Sequence, residues 1–111
     1  MKLVYIAGPY RDARGEWFVR QNIRAAEAAA VAIWAMGAVA MCPHKNTAGL
    51  GGACPDDVWL KGDIEILRRC DAIFMLYGWG GSRGASYEWD FAMANGIPVL
   101  ESLEDLSSWL Q

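Results

Sequence analysis

Short apolar runs alternate with longer segments of helical periodicity along this chain, and this alternation limits the possible folds more than any other feature. The apolar runs are Leu3–Ala7, Ala38–Cys42, Ala72–Leu76 and Ile97–Leu100. In the segments between them, apolar residues recur at the spacing of one helix face. Strands that alternate with helices in this way predict a mainly parallel sheet covered by helices on both faces.

The predicted helices occupy the periodic segments. They are Glu16–Met36, Asp56 to about Arg69, Ser86–Asn95 and a short final helix that begins after Ser102. We therefore expect one α/β domain over residues 1–111, a Rossmann-like (flavodoxin-like) three-layer sandwich with a mainly parallel sheet of four to five strands. Ligands of such folds bind where the strands end, so the loops after residues 7, 42 and 76 are expected to share one edge.

Charge, hydropathy and cysteine content indicate which binding partners and which cellular compartment to expect. The net charge is −3 and Lys and Arg form no cluster, which argues against nucleic-acid binding. The first residues lack the pattern of a signal peptide, and no apolar stretch is long and uniform enough to predict a membrane span. The three cysteines are irregularly spaced, which favours a reduced, cytoplasmic setting.

Glycine and polar residues gather in the loops that are predicted to meet at the carboxyl edge of the sheet. Gly8 and Arg11 follow the first strand, His44 and Asn46 follow the second, and a glycine- and serine-rich segment, 78–86, follows the third. Such a segment before a helix is typical of an anion site, because free N–H groups and the helix dipole favour negative charge. The pattern alone is weak, since many turns of this kind bind nothing.

Three motifs at these loops carry a more specific signal: Tyr5–Arg11, Cys42–His44 and Ser82–Glu88. Their order and separation resemble the nucleoside 2-deoxyribosyltransferase superfamily over nearly the whole chain, and within it a small DUF4406-like branch. Better-known members of that superfamily are the deoxyribosyltransferases and the deoxynucleoside 5′-monophosphate N-glycosidases. The resemblance implies a small-molecule nucleoside or nucleotide as ligand and no cofactor.

The resemblance also implies catalytic roles for three side chains. Glu88 matches the nucleophilic glutamate, which attacks C1′ of the sugar and forms a covalent intermediate, as in retaining glycosidases. Asp63 matches the second carboxylate, which assists the departing base or orients the sugar. Tyr5 matches a tyrosine whose hydroxyl reaches the nucleophile or the sugar. Glu88 is expected in the first helical turn, where the helix dipole would keep it ionised; complementing that dipole is its alternative, purely structural role.

Ser82 indicates whether the sugar of the ligand is phosphorylated at its 5′ position. The resemblance implies a phosphate-contacting serine at this position in the N-glycosidases, whereas transferases that act on free nucleosides carry an aspartate there. The serine therefore favours a 5′-phosphorylated ligand. Gly8, Arg11, Gly84 and Ser86 are expected to complete the phosphate site, and the alternative for Arg11 is a plain surface cation.

His44 and Asn46 are further candidates for contact with the ligand. His44 is the only histidine of the chain, and it is expected to face the pocket and bind phosphate or base, or to be structural instead. Cys42, His44 and Cys54 do not have the spacing of a zinc site, so no metal is predicted.

Six tryptophans in 111 residues are an unusual number. Trp79 lies in the glycine-rich loop and could stack on a base. The others lie mostly in predicted helices, and their surplus predicts an exposed hydrophobic face and hence a homodimer or larger homo-oligomer.

The chain ends at Gln111, where many relatives continue into an extension that reaches the site of a neighbouring subunit. We therefore expect hydrolysis more than base transfer: an N-glycosidase-like enzyme that cleaves a (deoxy)nucleoside 5′-monophosphate through a covalent intermediate on Glu88. The alternatives are a nucleoside 2-deoxyribosyltransferase, a non-catalytic nucleotide-binding or sensing module, and a structural protein that uses its tryptophan-rich face. The fold alone does not choose among them.

Overall fold

A computed structural model describes residues 1–111 and contains strands and helices in alternation. The strands are β1 (Leu3–Ala7), β2 (Val39–Met41), β3 (Ala72–Met75) and β4 (Val99–Leu100). The helices are α1 (Glu16–Ala35), α2 (Pro43–Asn46), α3 (Asp56–Arg68), α4 (Arg83–Ala94) and α5 (Leu103–Leu110), and a 3-10 turn at Trp79–Gly81 precedes α4. None of these helices has both the length and the apolar character needed to cross a membrane.

The four strands form one sheet in the order β2-β1-β3-β4, and every neighbouring pair is parallel. Tyr5, in the middle of β1, pairs with Met41 on one side and with Ile73 on the other. The chain first moves outward from β1 to β2 and then returns across β1 to β3. This change of direction puts the topological switch point, where Rossmann-like folds bind ligands, between β1 and β3. The predicted Rossmann-like architecture is therefore confirmed, with four strands.

The sheet separates two hydrophobic clusters because successive side chains of a strand point to opposite faces. Val4 and Ile6 of β1 pack on one face with residues of α1 and α5, including Ile33 and Leu106. Tyr5 and Ala7 belong to the other cluster, together with residues of α3 and α4 that include Leu67, Ala85 and Ala92. Helices therefore cover both faces, and Tyr5 lies on the face covered by α3 and α4.

Two segments near the carboxyl edge differ from the prediction. Helix α4 begins at Arg83 and not at Ser86, because the hydroxyl of Ser82 accepts a hydrogen bond from the N–H of Ala85, at 3.2 Å, and caps the helix earlier. The short helix α2 lies where a loop was predicted after His44. Pro43 occupies its first turn, where a missing N–H is tolerated and the fixed φ suits a helix.

Candidate functional site

A hydrogen bond between Tyr5 and Glu88 lies at the centre of the candidate site. Tyr5 is completely buried in β1, and its hydroxyl donates to a carboxylate oxygen of Glu88 on α4. The two residues are 83 positions apart in the sequence. The parallel sheet brings them together, because the side chain of Tyr5 projects from the face of β1 that α4 covers.

Glu88 is a buried carboxyl group with a strongly perturbed pKa. Only 8% of the residue is exposed, and burial raises its pKa to about 7, while the hydrogen bond from Tyr5 opposes that rise. We expected the start of the helix to keep Glu88 ionised, and this expectation is wrong. Because α4 begins at Arg83, Glu88 lies in the second turn, where the helix dipole acts weakly, and desolvation dominates.

Asp63 is the second carboxyl group of the site. It lies on α3, is partly buried, and burial alone raises its pKa to about 6. Its negative charge also contributes to the raised pKa of both Glu88 and Tyr5. These effects require Asp63 to lie near Glu88 and Tyr5, since charge interactions fall with distance. The structure thus brings together the three residues that were predicted to carry the chemistry.

Tyr5 is a hydrogen-bond donor throughout the ordinary pH range. Burial, followed by the negative charges of Glu88 and Asp63, raises the pKa of its hydroxyl far above the usual range. The phenol therefore keeps its proton and can only stabilise Glu88 by donating to it. A neutral donor that faces a carboxylate in a buried site can stabilise the ionised form of that carboxylate.

The predicted phosphate residues of α4 lie at the beginning of the helix. Ser82 is its N-cap, and Gly84 and Ser86 follow within the first turn. Ser82 and Ser86 border a shallow depression in the surface, which does not include Gly84 or Glu88. Its lining residues are Gly80, Gly81, Ser82, Arg83, Ser86, Tyr87 and Asp90. The hydroxyl of Ser82 already accepts from the N–H of Ala85, so an incoming phosphate would compete with this capping bond.

Gly8 and Arg11 follow β1 and have different surroundings. Gly8 is buried, and a Cβ atom at this position would lie 2.6 Å from the Cβ of Leu76. The close packing of Gly8 against Leu76 is thus sufficient to explain why this position has no side chain. Arg11 is exposed and forms an ion pair with Asp56, the first residue of α3. This pair joins the loop after β1 to the beginning of α3 at the carboxyl edge.

His44 and Asn46 both belong to α2, but they have different environments. His44 is buried, and its Nε2 donates to the backbone carbonyl of Pro9 at 2.7 Å, so it connects α2 to the loop after β1. Burial lowers its pKa, which favours the neutral ring. Its Nδ1 has no hydrogen-bond partner and no contact with solvent. Asn46 is exposed.

Trp79, which was predicted to stack on a base, is partly buried and already stacks on another side chain of the protein. Its ring stacks on that of Trp89 with 5.5 Å between the centroids, and its indole N–H donates to Glu101 at 3.1 Å. These contacts hold the 3-10 turn that precedes the cap of α4.

Trp59 is one of the tryptophans that the sequence predicted to lie on helices, in the core or at an interface. Trp59 lies four positions before Asp63 on α3, and this spacing, visible in the sequence, puts the two side chains on one helix face.

No group of His, Cys, Asp or Glu side chains is arranged to hold a metal ion.

Comparisons with known proteins agree with this fold. The family described as a domain of unknown function, DUF4406, matches residues 2–101. Among solved structures, a 2-deoxyribosyltransferase from the psychrotolerant bacterium Bacillus psychrosaccharolyticus is similar, with a TM-score of 0.66 and 15% sequence identity. The match covers 95% of this chain and 90% of that chain. At this identity the likeness demonstrates a shared fold. No curated protein matches the sequence significantly.

Proposed function

Because the chain belongs to the DUF4406 family and has the fold of a 2-deoxyribosyltransferase, we propose that it is a nucleoside-processing enzyme, and specifically an N-glycosidase. The proposed substrate is a (deoxy)nucleoside 5′-monophosphate. The proposed reaction is hydrolysis of the bond between C1′ of the sugar and the base nitrogen, through a covalent intermediate on Glu88.

The observation that carries this proposal is the buried hydrogen bond from Tyr5 to Glu88, with the carboxyl group of Asp63 nearby. A carboxylate needs no such arrangement to stabilise a fold, and burying one is unfavourable. Strongly perturbed carboxyl groups that share a site with a fixed donor are typical of catalytic centres. The resemblance to the nucleoside 2-deoxyribosyltransferase superfamily implied these same three residues independently of their geometry.

The proposed reaction has two steps. A carboxylate oxygen of Glu88 forms a bond to C1′ while the bond from C1′ to the base breaks, and the base nitrogen keeps that electron pair and takes up a proton. Water then attacks C1′ of the glycosyl ester and releases a proton to the solvent, which replaces the proton that the base took up. This second step restores the carboxylate and releases the sugar 5′-phosphate. The hydroxyl of Tyr5 donates to the attacking carboxylate and holds its orientation.

The pKa values favour an orienting role for Asp63. Glu88 must be ionised to attack, and its pKa is about 7, whereas that of Asp63 is about 6. A pH that ionises Glu88 therefore leaves most of Asp63 ionised as well. In that state Asp63 accepts hydrogen bonds from the sugar or the base, and the departing base takes its proton from water.

The beginning of α4 supports a phosphorylated substrate. Ser82, Gly84 and Ser86 supply hydroxyl and N–H groups at a helix N-terminus, which favours a phosphate. Arg11 is an additional cation at the carboxyl edge, and it must leave Asp56 to reach the ligand. An exposed ion pair of this kind is weak, so Arg11 can leave Asp56 for the ligand at a small cost in free energy.

A second candidate function is a nucleotide-binding module without turnover. The burial of Glu88 favours it, because the depression at the beginning of α4 does not include that carboxyl group. This module would bind the same ligand at the carboxyl edge, while Glu88 would remain a buried structural group.

Base release from the common nucleoside 5′-monophosphates and their deoxy forms, followed by chromatography, tests the proposal. We expect wild-type protein to release base, Glu88→Gln to lose this activity, and the exposed matched control Glu104→Gln to keep it. Absence of release by the wild type, or equal release by Glu88→Gln, refutes catalysis. Thermal stabilisation by a nucleotide without any turnover would instead support the binding module.

We also propose that the chain self-associates. Trp17, Val31 and Trp34 of α1 are 63%, 64% and 55% exposed, which is unusual for large apolar side chains. Sedimentation velocity of the wild type and of a Trp17→Ser, Trp34→Ser variant tests this. A wild-type monomer at all concentrations contradicts it.

A further inference from the structure

One face of α3 extends from the buried core to the carboxyl edge of the sheet. Trp59, Asp63 and Leu67 are spaced four positions apart, so their side chains share this face. Leu67 is fully buried and packs in the same cluster as Tyr5, which shows that the face is directed towards the site. Asp63 and then Trp59 follow in the direction of the beginning of the helix.

The beginning of α3 lies at the carboxyl edge of the sheet. Helices that connect parallel strands run antiparallel to them, so each such helix begins near the edge where the strands end. The contact between Arg11, in the loop after β1, and Asp56, the first residue of α3, agrees with this. Trp59 therefore lies between the carboxyl edge of the sheet and Asp63, on the helix face that these two residues share with Leu67.

Trp59 carries a polar group that the protein leaves without a partner. Its indole N–H is inaccessible to solvent and donates to no acceptor, although other parts of the residue reach the surface. One turn away, the carboxyl group of Asp63 also has no hydrogen-bond partner that would lower its pKa. Buried donors are almost always paired, so the missing partner of Trp59 requires an explanation.

We propose that the side chain of Trp59 turns when a ligand binds, so that its indole N–H donates to a hydrogen-bond acceptor on the nucleobase, which makes Trp59 a specificity-determining residue. The inference rests on the proposed function only for the identity of the ligand class, a nucleoside 5′-monophosphate. Asp63 then accepts a hydrogen bond from an N–H group of the same base or from the sugar. Together the two side chains of α3 present one donor and one acceptor to the base.

Steady-state kinetics with base analogues test the contact. The probes are deoxyadenosine 5′-monophosphate and its 1-deaza, 3-deaza and 7-deaza analogues, each of which replaces one acceptor nitrogen by C–H. Trp59→Phe keeps an aromatic ring and removes the N–H, so kcat/KM on the parent should fall about tenfold, as for the loss of one hydrogen bond. The same variant should lose nothing on the analogue that lacks the acceptor. Equal losses on the parent and all three analogues overturn the proposal.

Proton–nitrogen NMR of the indole groups provides a second readout that needs no turnover. The signal that Trp59→Phe removes identifies Trp59, and Trp17→Phe on the opposite side of the sheet is the matched control. We expect each nucleotide that binds among the four common deoxynucleoside 5′-monophosphates to move the Trp59 signal downfield. Binding that leaves this signal in place, or binding by none of the four, overturns the proposal. So does a comparable shift that Asp63→Asn causes without ligand, because Asp63 itself would then be the acceptor.

The two proposals can fail separately. Base release by the wild type together with an unmoved Trp59 signal overturns the role of Trp59 and leaves hydrolysis standing. A Trp59 signal that moves on nucleotide addition, without any base release, overturns hydrolysis and leaves the base contact standing. Equal melting temperatures of the wild type and Trp59→Phe show that changes in kcat/KM do not come from unfolding.

Discussion

Replacing Glu88 by Gln should make the protein more stable at alkaline pH while it removes the proposed nucleophile. Burial raises the pKa of Glu88 from 4.5 to about 7, so the folded state holds a proton that the unfolded state has already released. Stability is therefore complete below pH 4.5 and falls as the pH rises through 7. A difference of this size corresponds to about 3 kcal/mol.

Gln avoids this loss because it carries no charge. Its carbonyl oxygen still accepts from the hydroxyl of Tyr5, so the variant keeps the hydrogen bond that is present in the wild type. Between pH 5 and pH 8.5, Glu88→Gln should gain about 2 to 3 kcal/mol in unfolding free energy relative to the wild type. Asp63 remains in both proteins, so its own titration largely cancels from the comparison.

Urea denaturation followed by tryptophan fluorescence, at several pH values from 5 to 8.5, measures this difference. Glu104→Gln on α5 is the matched control, because Glu104 is exposed and its replacement should follow the wild-type curve. Parallel stability curves for Glu88→Gln and the wild type would refute the reasoning, since Glu88 could not then have a raised pKa. A variant that is both inactive and more stable is the signature of a site where function opposes stability.

Three further predictions concern Tyr5, Gly8 and Arg11. Tyr5→Phe removes the donor that lowers the pKa of Glu88, so the rise of kcat/KM with pH should move about one unit higher; an unchanged pH profile would contradict the role of the hydroxyl. Gly8→Ala places a Cβ atom 2.6 Å from that of Leu76, so urea denaturation should show a loss of about 1 to 3 kcal/mol, whereas an unchanged midpoint would mean that the strand ends move apart freely. Arg11→Gln breaks only an exposed ion pair and should leave the urea midpoint nearly unchanged, but it should raise KM for a nucleoside 5′-monophosphate and not for the corresponding nucleoside; equal changes in both would exclude a phosphate contact.

The sequence was sufficient to predict the fold because the relevant signals are local. Val4 and Ile6 alternate with Tyr5 and Ala7, and each pair packs on its own face of the sheet. The beginning of α4 was predicted too late, although Ser82 is a good N-cap residue. Gly84, a poor helix former, favoured a later start, but the hydrogen bond between Ser82 and Ala85 outweighs that preference.

The candidate site could be predicted only in part. The family resemblance implied roles for Tyr5, Asp63 and Glu88, and the tertiary structure groups these three residues. The expected ionisation of Glu88 was wrong, since the sequence contained only its position near a helix start. His44 was expected to face the ligand, but its Nε2 is engaged by Pro9, whose carbonyl becomes its neighbour only when α2 packs beside β1.

The sequence by itself therefore determined the alternation of strands and helices and the parallel sheet, and its resemblance to a known superfamily implied the side chains of the proposed chemistry. Only the tertiary structure decided that Tyr5 donates to Glu88, that burial holds the pKa of Glu88 near 7, and that the indole N–H of Trp59 is left without a partner. The physical reason is that secondary-structure preferences and desolvation act over different separations along the chain. Helix and strand preferences depend on neighbours along the chain, whereas desolvation depends on atoms that distant segments bring together.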